Sequence, residues 1–219
     1  MKKLLITIGL LITIIGCEYE EFDPAAPRES TAVKWTDGIV YYKFDVNFPF
    51  WGKYQIREAM DNYEQISSLK FIELQSIKGI KYFCIIKEGN TNSCSAVGMV
   101  KDINLILYDY SDIKILLHEL GHLIGLEHEH QREDRDEHIK INWENIQEGK
   151  EYSFKIIKNQ LIPIKLFEYD VNSIMHYASR AFSKNNKETI TSFLFASVGI
   201  HKSILLEKDI KKIQYLYPL

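Results

Sequence analysis

The spacing of hydrophobic positions changes period along the chain, and each change marks an element. Ile39–Phe44 (IVYYKF) is rich in β-branched and aromatic residues and follows the turn Thr36-Asp37-Gly38, which predicts a strand. From Lys53 to Ile66 the apolar positions Ile56, Ala59, Met60, Tyr63 and Ile66 recur at helical spacing, the stripe of an amphipathic helix packed on a sheet. Leu69–Leu74 (LKFIEL) alternates as a half-buried strand does. Ile80–Ile86 (IKYFCII) and Ile103–Tyr108 (INLILY) read as further strands, with a turn at Gly89-Asn90 between them. Ile113–Ile124 is predicted as a helix, capped at its start by Ser111 or Asp112. Its apolar residues Ile115, Leu116, Leu120, Leu123 and Ile124 cover much of the circumference, as in a buried helix. The pattern weakens from Asn142 to Tyr169, where loops with short helical turns are expected, and Asn185-Asn186 suggests another turn. Glu207–Leu216 carries Ile210, Ile213 and Leu216 at helical spacing and is stopped by Pro218, a closing helix. Strands lead the first half, helices and loops the second. This predicts an α+β fold in two lobes, with the buried helix at their junction.

Composition adds little to that picture until the N-terminus. A hydrophobic share of 46% and a charged share of 26% are ordinary for a globular domain. With a net charge of −3 and no basic run, nothing argues for a nucleic-acid partner, and none is expected. Residues 1–17 have a basic start (Lys2, Lys3) and an apolar run from Leu4 to Ile15, too short for a membrane span of about 20 residues. The run fits the core of a secretory signal. Ile14-Ile15-Gly16-Cys17 resembles the bacterial lipoprotein signal, in which the cysteine is acylated and becomes the mature N-terminus. Residues 18–33, with the acidic stretch Glu18–Asp23 and then Pro24-Ala25-Ala26-Pro27, read as a solvated tether. Residues 34–219 form the expected domain. The chain is thus expected to be exported, monomeric, and lipid-anchored through Cys17 at a bacterial outer membrane or cell surface. An exported chain can oxidise its two remaining cysteines, so a Cys84–Cys94 disulfide is possible.

The chemistry lies in His118–Asp136, HELGHLIGLEHEHQREDRD. Four of the chain's seven histidines fall between His118 and His130, a density that a helix with scattered surface histidines would rarely produce. His118, Glu119, His122, Gly125 and His128 stand as H-E-x-x-H-x-x-G-x-x-H. On a helix, His118 and His122 lie one turn apart on one face and can aim their rings at one point. Zn²⁺ takes neutral imidazole at roughly 2.0–2.1 Å, and a catalytic site keeps one position open for water. Glu119 can reach that water rather than the metal. Gly125 falls where the chain must leave the helix, and glycine takes the left-handed conformation there at little cost. The turn would bring His128 back as a third ligand. The longer form of this motif is far more specific than H-E-x-x-H alone, and a methionine turn downstream sharpens it.

Such a stretch stands about fifty residues on: Ser173-Ile174-Met175-His176-Tyr177. Together with the long motif it resembles the Met-turn of the metzincins, and in particular the chain resembles the astacin family of zinc endopeptidases. Glu129, Arg132, Asp134, Arg135 and Asp136 match that family's H-E-x-x-R-x-D-R-D extension, and SIMHYASRAFSKNNKETI is similar to its Met-turn segment. The stretch from Trp35 to Tyr42 resembles the start of the mature domain, and Asp209-Ile210 through Leu216-Tyr217 its end. The resemblance implies a metzincin-like fold, an N-terminal twisted sheet with two long helices and a mostly irregular C-terminal lobe with a closing helix. It implies one Zn²⁺ held by His118, His122 and His128, with Glu119 as general base and Met175 as the apolar floor. Tyr177 would be a reversible further ligand that also stabilises the oxyanion. It also implies a mature N-terminus held near Glu129. Animal members carry two disulfides. Ser68 and Pro218 replace one pair here, and Cys94 aligns with half of the other, whose partner region at Tyr108-Asp109 lacks cysteine. Only the tether separates the domain from Cys17, so latency through a pro-segment aspartate is not expected.

The function implied is a secreted, membrane-anchored zinc endopeptidase acting on protein or peptide substrates. The alternative is a non-catalytic zinc-containing surface lipoprotein that serves as a binding module. An intact Glu119 argues against it, since a structural zinc site has no use for a base there. Arg180 and Lys184 are candidates for favouring acidic substrate side chains, beside the plainer reading of exposed surface charge.

Overall fold

The computed structural model describes residues 26–108, 110–194, 197–199 and 203–219. The expected signal, Cys17 and the first half of the expected tether lie outside the described residues. None of the described helices is long and apolar enough to cross a membrane.

The chain enters through a two-residue strand, β1 (Arg28–Glu29), and then β2 (Ile39–Phe44). Val40, Tyr42 and Phe44 are buried and alternate with half-exposed neighbours, the period of a strand with one covered face. α1 (Phe50–Ile66) follows and buries Ile56, Ala59, Met60 and Tyr63, the predicted stripe, in the same core. It starts a turn earlier than the stripe suggests. Pro49 sits at the N-cap with φ −61°, already suited to a helix entry, while Phe50 and Trp51 point to solvent and so lie outside the periodic face.

β3 (Lys70–Glu73), β4 (Cys84–Glu88), β5 (Ser93–Cys94) and β6 (Ile103–Leu107) complete a five-stranded sheet in the order β3-β2-β4-β6-β5. β2, β3, β4 and β6 are mutually parallel, and β5 alone runs antiparallel, on the outer edge. β4 is displaced from the expected Ile80–Ile86, because a turn at Gly79 (φ 81°) closes with Ile80 N–H donating to Ile77 O. The possible disulfide does not form: Cys84 and Cys94 are both free. Cys84 pairs with Ile103 and Cys94 with Leu105, so β6 runs between them. Two strand spacings are about 9.6 Å, beyond the usual 4.4–6.8 Å between the Cα atoms of a disulfide.

α2 (Ile113–Ile124) packs on α1 and β5 and has the predicted limits. Asp112, rather than Ser111, caps it, accepting from Lys114 N–H at 3.0 Å. Beyond it the chain is mostly short turns. β7 (Ile139–Ile141) pairs with β9 (Ile190–Ser192), and β8 (Ile157–Lys158) pairs with β1. Ile139, Ile141, Ile146, Phe154, Tyr169, Ile190 and Val198 form a small second core here. The β1 pairing carries ordered structure back to Arg28, ahead of the domain boundary expected at residue 34. α3 (Glu207–Leu216) closes the chain and inserts Ile213 and Leu216 into the main core.

Candidate metal centre

α2 presents His118 and His122 from adjacent turns, with ring centroids 4.8 Å apart. The helix then stops abruptly. Gly125 adopts φ 110°, and the N–H groups of Gly125 and Leu126 return to His122 O (3.0 Å) and Gly121 O (2.9 Å). This pair of bonds is the Schellman ending, which satisfies carbonyls left open at a helix C-terminus. The reversal sets the His128 ring 4.4 Å from that of His122 and 5.1 Å from that of His118. One coordinating atom from each of the three lies within 4.8 Å of the others. Among the described residues they are the one such group of three His, Cys, Asp or Glu side chains.

Hydrogen bonds fix which nitrogen each ring offers. His118 Nδ1 lies 2.7 Å from Ile174 O and His122 Nδ1 lies 2.8 Å from Leu126 O. A carbonyl only accepts, so these Nδ1 atoms carry the protons and the Nε2 lone pairs are bare. His128 Nδ1 lies 3.0 Å from Gln131 Oε1 and is held in the same way. His122 Nε2 and His128 Nε2 then face each other at 3.1 Å. Two bare acceptors at that distance repel unless a cation stands between them. Tetrahedral ligands about 2.05 Å from zinc would be about 3.3 Å apart, so the donor set fits one zinc ion. Burial depresses His122 to a pKa of about 4 and His128 well below the usual imidazole range, which favours the neutral, ligating form.

Glu119 is 7% exposed. Burial raises its pKa to about 7, against the Cys94 backbone N–H, which donates to its carboxylate and pulls the value down. Met175 is buried beneath the helix. A Cβ on Gly121 would come within 2.5 Å of its Sδ, so glycine at 121 permits this close approach. Tyr177 stacks on His130 with ring centroids 4.1 Å apart and meets His128 edge-on at 4.4 Å. Its phenol is hydrogen-bonded to the Ser153 side chain, while burial raises its pKa to about 12.

His118, Glu119 and Tyr177 open onto one cleft of about 350 Å³, lined also by Asn92, Asp112, Lys114, Ile115, Ala178 and Gly199. Arg180 and Lys184 are exposed and do not line it, in keeping with plain surface charge. The expected contact of Glu129 with the N-terminus lies outside the described residues. The Glu129 carboxylate accepts from Arg132, from the Asp170 N–H and from Lys212. The sequence pattern gave no role to Gln131, Asp209, Lys212 or the Cys94 N–H. The backbone partners leave no mark in a sequence, since every residue has a carbonyl and nearly all have an N–H.

Comparison with known proteins agrees with this geometry. The family profile described as Astacin, a peptidase family, matches residues 28–218. The chain is 37% identical over 156 residues to the dorsal-ventral patterning protein tolloid of Drosophila melanogaster, covering 69% of this chain and 14% of that protein. It is 33% identical over 192 residues to the zinc metalloproteinase nas-6 of Caenorhabditis elegans, covering 84% of this chain and 53% of that one. The chain therefore spans about half or less of the length of these relatives. The solved structure of high choriolytic enzyme 1, a hatching-enzyme zinc protease of Oryzias latipes, superposes with a TM-score of 0.73. That match has 25% identity and covers 85% of this chain and 93% of the other. By sequence, fold and the disposition of its histidines, the chain belongs to the astacin family.

Proposed function

We propose that this chain is a zinc endopeptidase, exported and anchored to a bacterial membrane by lipid on Cys17. The observation that carries the reading is the pair of bare imidazole nitrogens facing each other at 3.1 Å, with a third ring and a buried carboxylate beside them. His118, His122 and His128 would hold the metal, and Tyr177 would be a reversible further ligand. When bound, zinc supplies Lewis-acid chemistry, acidifying water and polarising a carbonyl oxygen.

The chain's own groups do the rest. Glu119 takes the proton of the attacking water and later delivers it to the leaving amine. A carboxyl group with a pKa of about 7 can serve both steps. Tyr177 leaves its Ser153 contact and donates its O–H to the oxyanion of the tetrahedral intermediate. The Ile174 and Leu126 carbonyls and Gln131 keep the three rings oriented through turnover. The names of the relatives, a metalloproteinase and a hatching-enzyme protease, support protein or peptide substrates.

Digestion of a peptide library with and without a zinc chelator tests the activity. Chelator-sensitive cleavage, restored by zinc, is expected. A protein that binds zinc and cleaves nothing would instead be the binding module. Palmitate labelling of cells expressing the full chain or its Cys17→Ser variant tests the anchor. Label and membrane association should both be lost in the variant.

A further inference from the structure

The closing helix touches the metal centre in a way the proposed mechanism does not use. Lys212 and Glu129 have side chains only 6% and 5% exposed, and their Nζ and Oε2 atoms are 2.6 Å apart. A buried ion pair is seldom a net gain in stability, and losing one partner leaves a costly lone charge. Its place therefore needs a reason.

The charges sort themselves. Arg132 meets Asp134 through two parallel bonds, Nε to Oδ1 at 2.9 Å and Nη2 to Oδ2 at 2.7 Å, so its charge is matched there. Its remaining Nη1 reaches Glu129 Oε1 at 3.0 Å. Lys212 is the cation on the other oxygen of Glu129, Oε2, and is bonded to no other carboxylate among the described residues. Glu129 directly follows His128, and its N–H donates to Met175 O at 3.0 Å. One turn earlier on α3, buried Asp209 accepts from Ser173 Oγ at 2.6 Å and from Ile174 N–H at 3.1 Å. Ile174 is the residue whose carbonyl orients His118. One face of α3 thus grips both ligand-bearing arms, through Asp209 to His118 and through Lys212 to His128. The space beside it is a cavity of about 20 Å³, room for roughly one water.

We infer that Lys212 is a positioning residue for the metal centre: its ammonium neutralises buried Glu129 and so fixes the loop that presents His128. The inference rests on the proposed reading of His118, His122 and His128 as zinc ligands.

Zinc affinity, measured on the full chain by competition with a chromophoric chelator, tests it independently of peptidase activity. Lys212→Met should weaken zinc binding by about 10- to 100-fold, the usual scale for groups that orient metal ligands. Its kcat should fall while KM stays close to wild type. Lys212→Arg should recover part of the affinity. The double variant Glu129→Gln/Lys212→Met, which removes the Glu129 charge together with its ammonium partner, should bind zinc more tightly than Lys212→Met alone. It also keeps the test open if the single variant does not fold. A folded Lys212→Met with wild-type zinc affinity, or a double variant no better than the single, would overturn the inference while leaving the zinc site intact. Wild-type protein that fails to bind zinc, or binds it as well after His122→Ala, would instead remove the underlying site and the inference with it.

Discussion

At the scale of single residues, the site sets two acids to different tasks by their surroundings. Glu119 is largely buried at the edge of the cleft, with the Cys94 N–H as partner, and burial raises its pKa to about 7, where it can both accept and release a proton near neutrality. Glu129 accepts from three donors and ties its loop to the rest of the molecule. Glu119→Gln keeps the side chain's shape and removes its basicity. On the proposed mechanism the variant should retain stoichiometric zinc, read by metal analysis, and lose about 10²- to 10⁴-fold in kcat/KM on a peptide substrate. Wild-type turnover in that variant would remove Glu119 from the mechanism. Tyr177→Phe keeps the stacked ring on His130 and deletes only the hydroxyl. Loss of one oxyanion donor should cost about 10²- to 10³-fold in kcat with KM little changed, measured by steady-state kinetics.

At the scale of elements, α2 is held at its end by the rest of the molecule. Trp35 Nε1 donates to Leu123 O at 2.7 Å, and Tyr217 Oη donates to Ile124 O at 2.6 Å while accepting from Trp35 N–H at 3.1 Å. These side chains, from near the two ends of the described chain, satisfy the carbonyls the helix leaves open. Tyr217→Phe strands Ile124 O and the Trp35 N–H in the core and should cost about 1–3 kcal/mol by urea denaturation. Gly125→Ala forces a side chain into the left-handed region and within 3.1 Å of Leu161. About 1–2 kcal/mol of lost stability is expected, with weaker zinc binding because the His128 turn shifts. α2 and Gly125 were legible in the sequence because a helix of three turns carries a long stripe and a defined stop. α3 was legible for the first of these reasons. β1, β7, β8 and β9 have two or three residues each, too few for any period, and exist through pairing with distant partners. The sequence left the pairing of Cys84 and Cys94 open, because nothing in their spacing reveals the strand that runs between them. The three histidines and Glu119 were readable from spacing alone. Lys212 was not, because its place on the face of Ile213 and Leu216 shows only that it turns inward, and its partner Glu129 lies far off in the sequence.

At the scale of the whole molecule, a metal held by the three histidines would couple parts that the cores join only in part. The main core takes in the sheet, α1, α2 and α3, while the second core lies apart in the C-terminal half. His118 and His122 belong to the first through α2, and His128 belongs to the loop beyond Gly125 that leads into the second. A ligand that binds only the folded state adds RT ln(1 + [L]/Kd), about 2.7 kcal/mol when free zinc is a hundredfold above Kd. For a chain of this size each kcal/mol moves Tm by about 2–4 °C, so chelation should lower Tm by about 5–10 °C. The loss should also be local. Without a cation, the bare nitrogens of His122 and His128 repel at 3.1 Å and the loop is free to open. The sheet and α1 keep every contact they had. Hydrogen exchange on chelated protein should therefore rise first in the amides of residues 126–132 and 173–177, while β2, β4 and β6 stay protected. His122→Ala should show the same raised exchange whether or not zinc is added, because its loss removes the coupling itself. Equal Tm values and equal exchange with and without chelator would mean that the lobes are held by packing alone and that zinc merely occupies a site already rigid.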